Sequence, residues 1–240
     1  MRLEVLEDAE AVAATAAALW LDRLAARPDL VVAAPAGRTP RPMYRRLRAE
    51  AARRGASFSR VRVFAVDELC APAPAGGYFW RHVQEAFLDW ADVPLDHRHP
   101  FDPAAPDLDA MCRAVERRIV ELGGLDLVLL GLGPNGHLAS NEPGSAFDSR
   151  TRAVVLRPET VAYILTDERA DPRVSYRAVT LGLGTLAEAR EVVVLVSGAP
   201  KHEALRRALT GPVTPDCPAS LLQTLPGALV LADRAAADGL

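Results

Sequence analysis

Four short stretches of the sequence combine acids, bases and anion-binding groups in a way that suits proton transfer on a sugar phosphate. They are Gly37-Arg38-Thr39, Asp67-Glu68, the segment from Asn135 through His137 to Glu142, and Lys201. The first and the last would form a phosphate cradle, because backbone amides at a glycine turn and a lysine both attract anions. The other two supply a carboxylate base and a histidine with a carboxylate partner. The sequence therefore predicts an active site wherever these stretches meet.

Each of these residue types also has an ordinary structural explanation. Adjacent acids such as Asp67-Glu68 usually cap or solvate a turn, and Arg38 would suit a solvated approach to a helix as well as a ligand. His137 would be able to tie down its own loop, but an ordinary histidine pKa of about 6.5 also suits proton exchange near neutrality. Lys201 precedes a helix expected at residues 202–209, whose N-terminal amides would add to its positive charge. These residues can form an active site only if the fold brings the four stretches together.

A predicted strand precedes each of the four stretches. The apolar runs lie at residues 29–34, 61–66, 125–132 and 191–197. Parallel strands bring their carboxyl ends to one edge of a sheet, and ligand crevices form outside that edge. We therefore expect one doubly wound α/β domain over residues 1–240, with a mostly parallel sheet flanked by helices on both faces.

The remaining segments fit the same architecture. Helices are expected at residues 8–27, 44–54, 78–90 and 106–122, and further strands at 153–156, 178–181 and 228–231. Residues 157–177 are charged and weakly periodic, which suits a movable lid or an ordinary surface loop. A surface role is expected for His82, His97 and His99, because they lie in or beside polar, proline-containing stretches.

The composition narrows the range of partners. The chain has 240 residues, half of them hydrophobic, and can bury a full core. Its net charge of -3 argues against nucleic-acid binding, whereas a small anionic substrate needs only a local positive cluster. Cys70, Cys112 and Cys217 lack the spacing of a zinc site or a disulfide framework, so no metal and a reducing cytoplasm are expected. The sequence has neither an export signal nor an apolar run long enough for a membrane span.

Several sequence blocks carry a resemblance to a known family. The blocks are PAGRTP, FAVDE, GLGPNGHLASNEPGSAFDSRTR, AVTLGLGTLAEAREVVVLVSGAPKHEAL and PVTPDCPASLLQ, and together they span nearly the whole chain. In this order they resemble the glucosamine-6-phosphate deaminase/isomerase family, which shares a fold with 6-phosphogluconolactonases. The lactonases share GLGPxGHxAS but usually continue with Leu-Phe-Pro in place of Asn141-Glu142-Pro143. The deaminase side is therefore favoured.

The resemblance implies an aldose-ketose isomerisation coupled to loss of ammonia, giving fructose 6-phosphate from glucosamine 6-phosphate without a cofactor. It makes Asp67 the base that takes the C2 proton and hands it on during enolisation. It implies that His137, supported by Glu142, promotes ring opening by moving a proton between the ring oxygen and the anomeric hydroxyl. Lys201 and Thr39 match the phosphate contacts of the family. Substrate contacts are also expected from Gly37 and Glu68.

One departure from the family lies beside the histidine. Many members have an aspartate two residues before it, where this chain has Asn135. An amide offers a dipole without a charge, so His137 should be a weaker base unless Glu142 compensates. Galactosamine-6-phosphate isomerases also resemble this chain in having asparagine there. The substrate epimer, gluco or galacto, is thereby left open.

A second departure concerns the phosphate site. The usual Gly-Ser-Thr of the family is Gly37-Arg38-Thr39 here, and the lid arginine of the deaminases aligns with Thr166. Arg38, or Arg169 or Arg173 from the lid, would then supply the missing donors, because a guanidinium presents several N–H groups to one phosphate.

Two other functions stay open from the sequence, and so does the assembly. In a 6-phosphogluconolactonase, His137 would assist water and Asp67 would have no enolisation to perform. A non-catalytic sugar-phosphate-binding protein would account for Asn135 and Thr166. The chain ends soon after Leu231, without the longer tail of allosteric hexameric family members, so a monomer or a small homo-oligomer is expected.

Overall fold

The structure is a computed structural model that describes residues 1–72, 76–167 and 173–240. Its strands are β1 (Arg2–Leu6), β2 (Val31–Ala34), β3 (Arg62–Ala65), β4 (Asp67–Leu69), β5 (Arg98–His99), β6 (Leu127–Gly131), β7 (Arg152–Val155), β8 (Arg177–Thr180), β9 (Glu191–Val196) and β10 (Ala228–Asp233). Its α-helices are α1 (Ala9–Ala26), α2 (Pro40–Arg54), α3 (Phe79–Val83), α4 (Leu108–Glu121), α5 (Pro158–Leu165), α6 (Leu183–Ala187) and α7 (His202–Thr210). A π-helical turn at Gln84–Leu88 continues α3, and 3₁₀ turns occur at Leu95–His97, Ala199–Lys201 and Pro218–Thr224.

Seven strands form one parallel sheet in the order β1-β10-β9-β6-β2-β3-β5. Its central strands are continuously apolar, and every residue of β2 and β10 is buried. Strands of this kind need cover on both faces, which the helices provide. The predicted single doubly wound α/β domain with a mostly parallel sheet is confirmed.

A second, three-stranded antiparallel sheet in the order β4-β8-β7 departs from the expected arrangement. The sequence predicted the strands near 153–156 and 178–181, but their antiparallel pairing with β4 was not expected. The acidic pair Asp67-Glu68 accordingly begins β4, whereas the sequence suggested a loop there. The pairing of Asp67 with Thr180 fixes its backbone immediately beyond the end of β3.

The strand β1 at the edge of the large sheet was missed from the sequence. It pairs in parallel with β10, from Arg2 opposite Leu229 to Leu6 opposite Asp233. Its residues are only partly buried, so its apolar pattern is weak. The acidic residues beside β1 obscured it in the sequence, and its position depends on its pairing with β10.

The α-helices begin and end where local signals place them. The Asp8 side chain accepts a hydrogen bond from the Ala11 amide at 2.8 Å and caps α1, which ends before Pro28. Among the described helices, none is both long and apolar enough to cross a membrane.

Part of the segment proposed as a lid is helical. Its helix α5 begins at Pro158, a residue whose fixed backbone suits the first turn of a helix. A small apolar cluster holds α5 against the antiparallel sheet through Leu69, Tyr78, Leu156, Val161 and Ala178. Arg169 lies outside the described residues.

Candidate active site

A cavity of about 150 Å³ opens at the carboxyl ends of four adjacent strands, β9, β6, β2 and β3. The predicted site residues that line it are Gly37, Arg38, Thr39, Asp67, His137 and Lys201. The expected convergence of four separate loops at one sheet edge is therefore present in the fold. Asn135 and Glu142 lie directly behind His137.

The His137 side chain belongs to a hydrogen-bonded chain that runs away from the cavity. Its Nδ1 lies 2.8 Å from the Asn135 Oδ1, and the Asn135 Nδ2 donates to the Glu142 Oε2 at 2.8 Å. A carboxylate only accepts hydrogen bonds, so the Asn135 amide must face Glu142 with its nitrogen and His137 with its oxygen. His137 therefore carries its proton on Nδ1, and Nε2 is the nitrogen that can accept another.

The environment of His137 keeps the imidazole neutral. Its pKa is lowered to about 4 because burial, with a smaller contribution from the charge of Lys201, outweighs the opposing charge of Glu142. Glu142 lies 3.9 Å from the imidazole Nδ1, with Asn135 interposed. Burial is the largest cause of the low pKa, so the weaker basicity expected from Asn135 stays a prediction.

The turn that carries His137 depends on close approach of its backbone. A Cβ atom at Gly133 would overlap the His137 ring, and Gly136 adopts a φ of +89° with Cys217 packed against it. Ala139, which lines the cavity, has a φ of +52° and is the only non-glycine residue with a positive φ in the described ranges. Strained backbone of this kind is found at sites that must hold side chains in place.

Asp67 is the cavity carboxylate best suited to act as a base. Burial raises its pKa to about 7, a hydrogen bond from Ser140 lowers it, and the charge of Glu68 raises it. The Ser140 Oγ donates to the Asp67 Oδ2 at 2.7 Å, and Ser140 itself is buried. A base with a pKa near 7 is half deprotonated near neutrality and can both accept and return a proton. The sequence reasoning missed Ser140, although it lies within the His137 motif.

Glu68 has a different role from the substrate contact that the sequence suggested, and this is a correction. Its side chain is fully buried, and its carboxylate accepts hydrogen bonds of 2.8–2.9 Å from the amides of Leu69, Tyr78, Phe79 and Trp80. These amides include the first turn of α3, where unpaired N–H groups attract a carboxylate. Glu68 thus fixes the wall that carries Tyr78 and Phe79.

The phosphate end of the cavity contains the loop before α2 and the residue before α7. The loop turns at Gly37, whose φ of +111° favours glycine, and Thr39 makes no capping bond with its hydroxyl. Lys201 is only 6% exposed, and burial lowers its pKa, as does the charge of Arg38. It is also the single lysine of a sequence that has 27 arginines. All the other long basic side chains of the sequence are arginines. The retention of a lysine at position 201 was a signal that we overlooked.

The aromatic side chain of Tyr163, on α5, contacts both cations of this end. The Arg38 guanidinium carbon lies 4.4 Å and the Lys201 Nζ 4.3 Å from the ring centroid. Burial raises the pKa of Tyr163, but hydrogen bonds and charges from Lys201 and Arg38 outweigh burial and lower it. Tyr163 escaped sequence reasoning, because the charged segment around it obscured the helix.

Two further residues of the proposed lid, Thr166 and Arg173, do not line the cavity. The Thr166 hydroxyl donates to the Tyr163 carbonyl at 2.7 Å, within its own helix. Arg173 is solvent-exposed and does not line the cavity. Of the two described arginines proposed to replace the lid arginine, Arg38 and Arg173, Arg38 lies at this end of the cavity.

The surface role expected for His82 is wrong. It is 5% exposed, lines the cavity from α3 and packs against Tyr78 with the two rings tilted and their centroids 5.0 Å apart. Nearby polar residues misled the prediction, because the folding of α3 onto Glu68 turns His82 inward. In the part of the chain that the structure describes, His, Cys, Asp and Glu side chains do not gather in threes as metal ligands would.

Comparison with known proteins gives consistent matches over the whole chain. The family described as Glucosamine-6-phosphate isomerases/6-phosphogluconolactonase matches residues 6–231. A glucosamine-6-phosphate deaminase of Shouchella clausii is 36% identical over 243 residues, which cover 99% of this chain and 97% of the relative. The solved structure of a monomeric glucosamine-6-phosphate deaminase, 31% identical, has a TM-score of 0.92 with 99% of each chain covered. A 6-phosphogluconolactonase from Trypanosoma brucei is more distant, at 26% identity and a TM-score of 0.77 over 99% of this chain and 98% of that one.

Proposed function

This chain belongs to the family of glucosamine-6-phosphate isomerases and 6-phosphogluconolactonases, and from that premise we propose that it is an amino-sugar-6-phosphate deaminase/isomerase. Glucosamine 6-phosphate is the first substrate to test and galactosamine 6-phosphate the second. The products are a ketose 6-phosphate and ammonia. The relatives named as deaminases cover the full chain, whereas the solved 6-phosphogluconolactonase differs more in structure.

Ring opening is the task of His137. Its Nε2 accepts the proton of the anomeric hydroxyl while the ring oxygen leaves C1, and the imidazolium then returns the proton to that oxygen. The Nδ1–H bond to Asn135 fixes the ring for this exchange. Glu142 stabilises the transient positive charge through the Asn135 amide. A histidine that is neutral at the start can perform both steps without a net change in charge.

Enolisation is the task of Asp67. Its carboxylate takes the C2 proton of the open-chain aldehyde, and the C–H electron pair forms the C1–C2 double bond as the carbonyl oxygen is protonated. Asp67 then returns the proton to C1, which leaves an iminium at C2. Addition of water to C2 releases ammonia and leaves the ketose. The Ser140 hydroxyl orients the carboxylate throughout.

The observation that carries this proposal is the presence of two differently tuned proton carriers in one cavity with a cationic end. Asp67 has a pKa of about 7 and His137 one of about 4. Lactone hydrolysis requires a base for water but no second base that abstracts a carbon-bound proton. The half-buried, Ser140-bound carboxylate of Asp67 has a clear task only when a C–H bond is broken.

A substrate panel tests the proposal. The purified chain is incubated with glucosamine 6-phosphate, galactosamine 6-phosphate and 6-phosphogluconolactone, and ammonium, ketose phosphate and acid are measured. Ammonium and ketose phosphate in equal amounts are expected from an amino sugar. Release of acid alone would establish a lactonase, and saturable binding without any product would establish a binding protein.

We also propose that the enzyme acts in the cytoplasm as a monomer or a small homo-oligomer. The solved relative with a TM-score of 0.92 is described as monomeric, and Cys70, Cys112 and Cys217 are all buried free thiols. Light scattering during gel filtration, expected at the 25.7 kDa of one chain or a small multiple of it, tests the assembly.

A further inference from the structure

At the phosphate end of the cavity, Arg38 and Lys201 cluster around Tyr163 of α5. The proposed ring-opening and enolisation steps give Tyr163 no role. Arg38 and Lys201 both contact the ring of Tyr163. The Arg38 guanidinium also reaches the Tyr163 backbone carbonyl at 3.5 Å. One residue therefore offers a π face to two positive groups and a carbonyl to one of them.

The contacts with Tyr163 offset the repulsion between Arg38 and Lys201. Lys201 is buried close to Arg38, and each cation disfavours the other unless an electron-rich group lies between them. The electron-rich face of the Tyr163 ring contacts both cations, and cation–π contacts strengthen when water is excluded. A phosphate dianion would supply the same compensation more strongly, because charged acceptors form stronger hydrogen bonds than neutral ones.

The helix that carries Tyr163 is held at both ends. At its start, the Arg157 amide donates to the Glu142 Oε1 at 3.1 Å, and its guanidinium donates to the Pro143 carbonyl at 3.0 Å. Just beyond its end, Asp167 forms a 2.5 Å ion pair with Arg41 of α2. These anchors keep the tyrosine beside the two cations, so its hydroxyl is already in place to meet an arriving ligand.

We propose that Tyr163 is a phosphate-binding residue of this enzyme, whose ring contacts Arg38 and Lys201 before phosphate binds and whose hydroxyl donates its proton to the phosphate when it arrives. A tyrosine hydroxyl is a hydrogen-bond donor as well as an acceptor. Phosphate takes over the donors of the two cations, and the tyrosine adds one further donor. The inference rests on the proposed function for the identity of the phosphorylated substrate.

A phosphate-binding role for Tyr163 also compensates for Thr166, which stands where the deaminases have the lid arginine. Thr166 uses its hydroxyl within α5 and leaves the phosphate end without a donor from that position. Tyr163 lies one turn earlier, on the side of α5 that lines the cavity. Together, Arg38 and Tyr163 supply the donors that a lid arginine would have contributed.

The single lysine of the chain gives a direct probe of this site. Lysine labelled with ¹³C at the ε carbon produces one side-chain signal, from Lys201 beside Tyr163. Inorganic phosphate is titrated into the full-length wild type, Tyr163→Phe, Tyr163→Leu and the control Tyr176→Phe, whose tyrosine is 51% exposed and lies outside the cavity. The Michaelis constants for glucosamine 6-phosphate are measured on the same proteins.

The wild type and Tyr176→Phe should give the same midpoint of the phosphate titration. Tyr163→Phe keeps the ring and loses only the hydroxyl, so its midpoint and its KM should rise about tenfold with kcat nearly unchanged. Tyr163→Leu loses the cation–π contacts as well and should bind phosphate still more weakly. The phenylalanine variant remains decisive if the leucine variant does not fold.

An unchanged midpoint for Tyr163→Phe would overturn the inference. So would tighter phosphate binding, which would mean that the hydroxyl competes with phosphate. If the wild type turns over glucosamine 6-phosphate in either case, the proposed function stands while the role of Tyr163 fails. If Tyr163→Phe weakens phosphate binding but the wild type shows no turnover, the role of Tyr163 stands while the proposed function fails.

Discussion

The two ends of the cavity are built on different principles. The proton-transfer end consists of Asp67, Ser140 and the His137–Asn135–Glu142 chain, and its members are joined by hydrogen bonds of 2.7–2.8 Å. The phosphate end consists of Arg38, Lys201 and Tyr163, which are linked by cation–π contacts.

The proton-transfer end therefore orients the reacting groups, whereas the phosphate end attracts a charged group. Proton transfer requires that lone pairs and protons point correctly, which directional hydrogen bonds on strand ends achieve. Phosphate binding requires positive charge, which needs less exact placement but must tolerate the cost of burying Lys201 beside a second cation. If the division holds, substitutions at the first end should lower kcat and those at the second should raise KM.

The largest expected effect is that of Asp67→Asn. Loss of the base should lower kcat about 10³-fold, since general base catalysis contributes about 10²–10⁴-fold. KM should change little, because the carboxylate does not bind phosphate. Asp238→Asn, an exposed acid in the last residues of the chain, is the matched control and should behave as wild type. Steady-state kinetics on both variants would reject the division if Asp67→Asn mainly raised KM.

The next effect is that of Lys201→Met, which removes the buried charge but keeps a side chain of similar length. A hydrogen bond to a charged group contributes about 1.5–3 kcal/mol, so KM should rise about 10- to 100-fold with a much smaller change in kcat. Lys201→Arg, which keeps the positive charge, should recover part of the affinity. A fall in kcat with KM unchanged would show that the two ends cannot be separated.

A smaller effect is expected from Asn135→Asp, which places a charge beside His137. The pKa of His137, about 4 in the wild type, should rise by about 1–3 units because a carboxylate stabilises the imidazolium. The ring-opening rate should rise several-fold if the amide limits proton transfer. NMR titration of the His137 ring measures the first change directly. An unaltered pKa would mean that Glu142 already dominates through Asn135.

The smallest effect concerns pH. Because Asp67 must be deprotonated to act and has a pKa of about 7, activity should fall as pH drops through about 7, while His137 stays neutral there. Ser140 stabilises the carboxylate, so Ser140→Ala should move this limb of the kcat profile upward by less than about one pH unit. The exposed Ser59→Ala is the control. A downward shift would contradict the assigned hydrogen bond.

The sequence predicted cavity-lining residues at both ends, among them Asp67 and His137 at one end and Arg38 and Lys201 at the other. Asp67, His137 and Glu142 follow apolar strands, and parallel topology alone brings such strand ends together. Glu68 was misjudged because adjacent residues on a strand point to opposite faces, so only one of the acidic pair can face the cavity. That alternation becomes visible only once β4 is known to pair with β8.

Tyr163 and His82 were beyond sequence reasoning for a different reason. Both lie on short helices whose orientation depends on tertiary anchors, namely the Arg41–Asp167 ion pair for α5 and the Glu68 carboxylate for α3. Local periodicity carries no information about such contacts, which join residues far apart in the chain. The edge strand β1 was missed in the same way, since its single partner β10 lies at the other end of the sequence.

The most direct test of the division follows a single proton. Glucosamine 6-phosphate deuterated at C2 is incubated with the wild type and with Asp67→Asn, and NMR follows the label while inorganic phosphate binding is measured in parallel. We predict that the wild type removes deuterium from C2, to C1 of the product or to water, and that Asp67→Asn retains the label at C2 but binds phosphate as the wild type does. Loss of the label from C2 at the wild-type rate in Asp67→Asn would contradict the account.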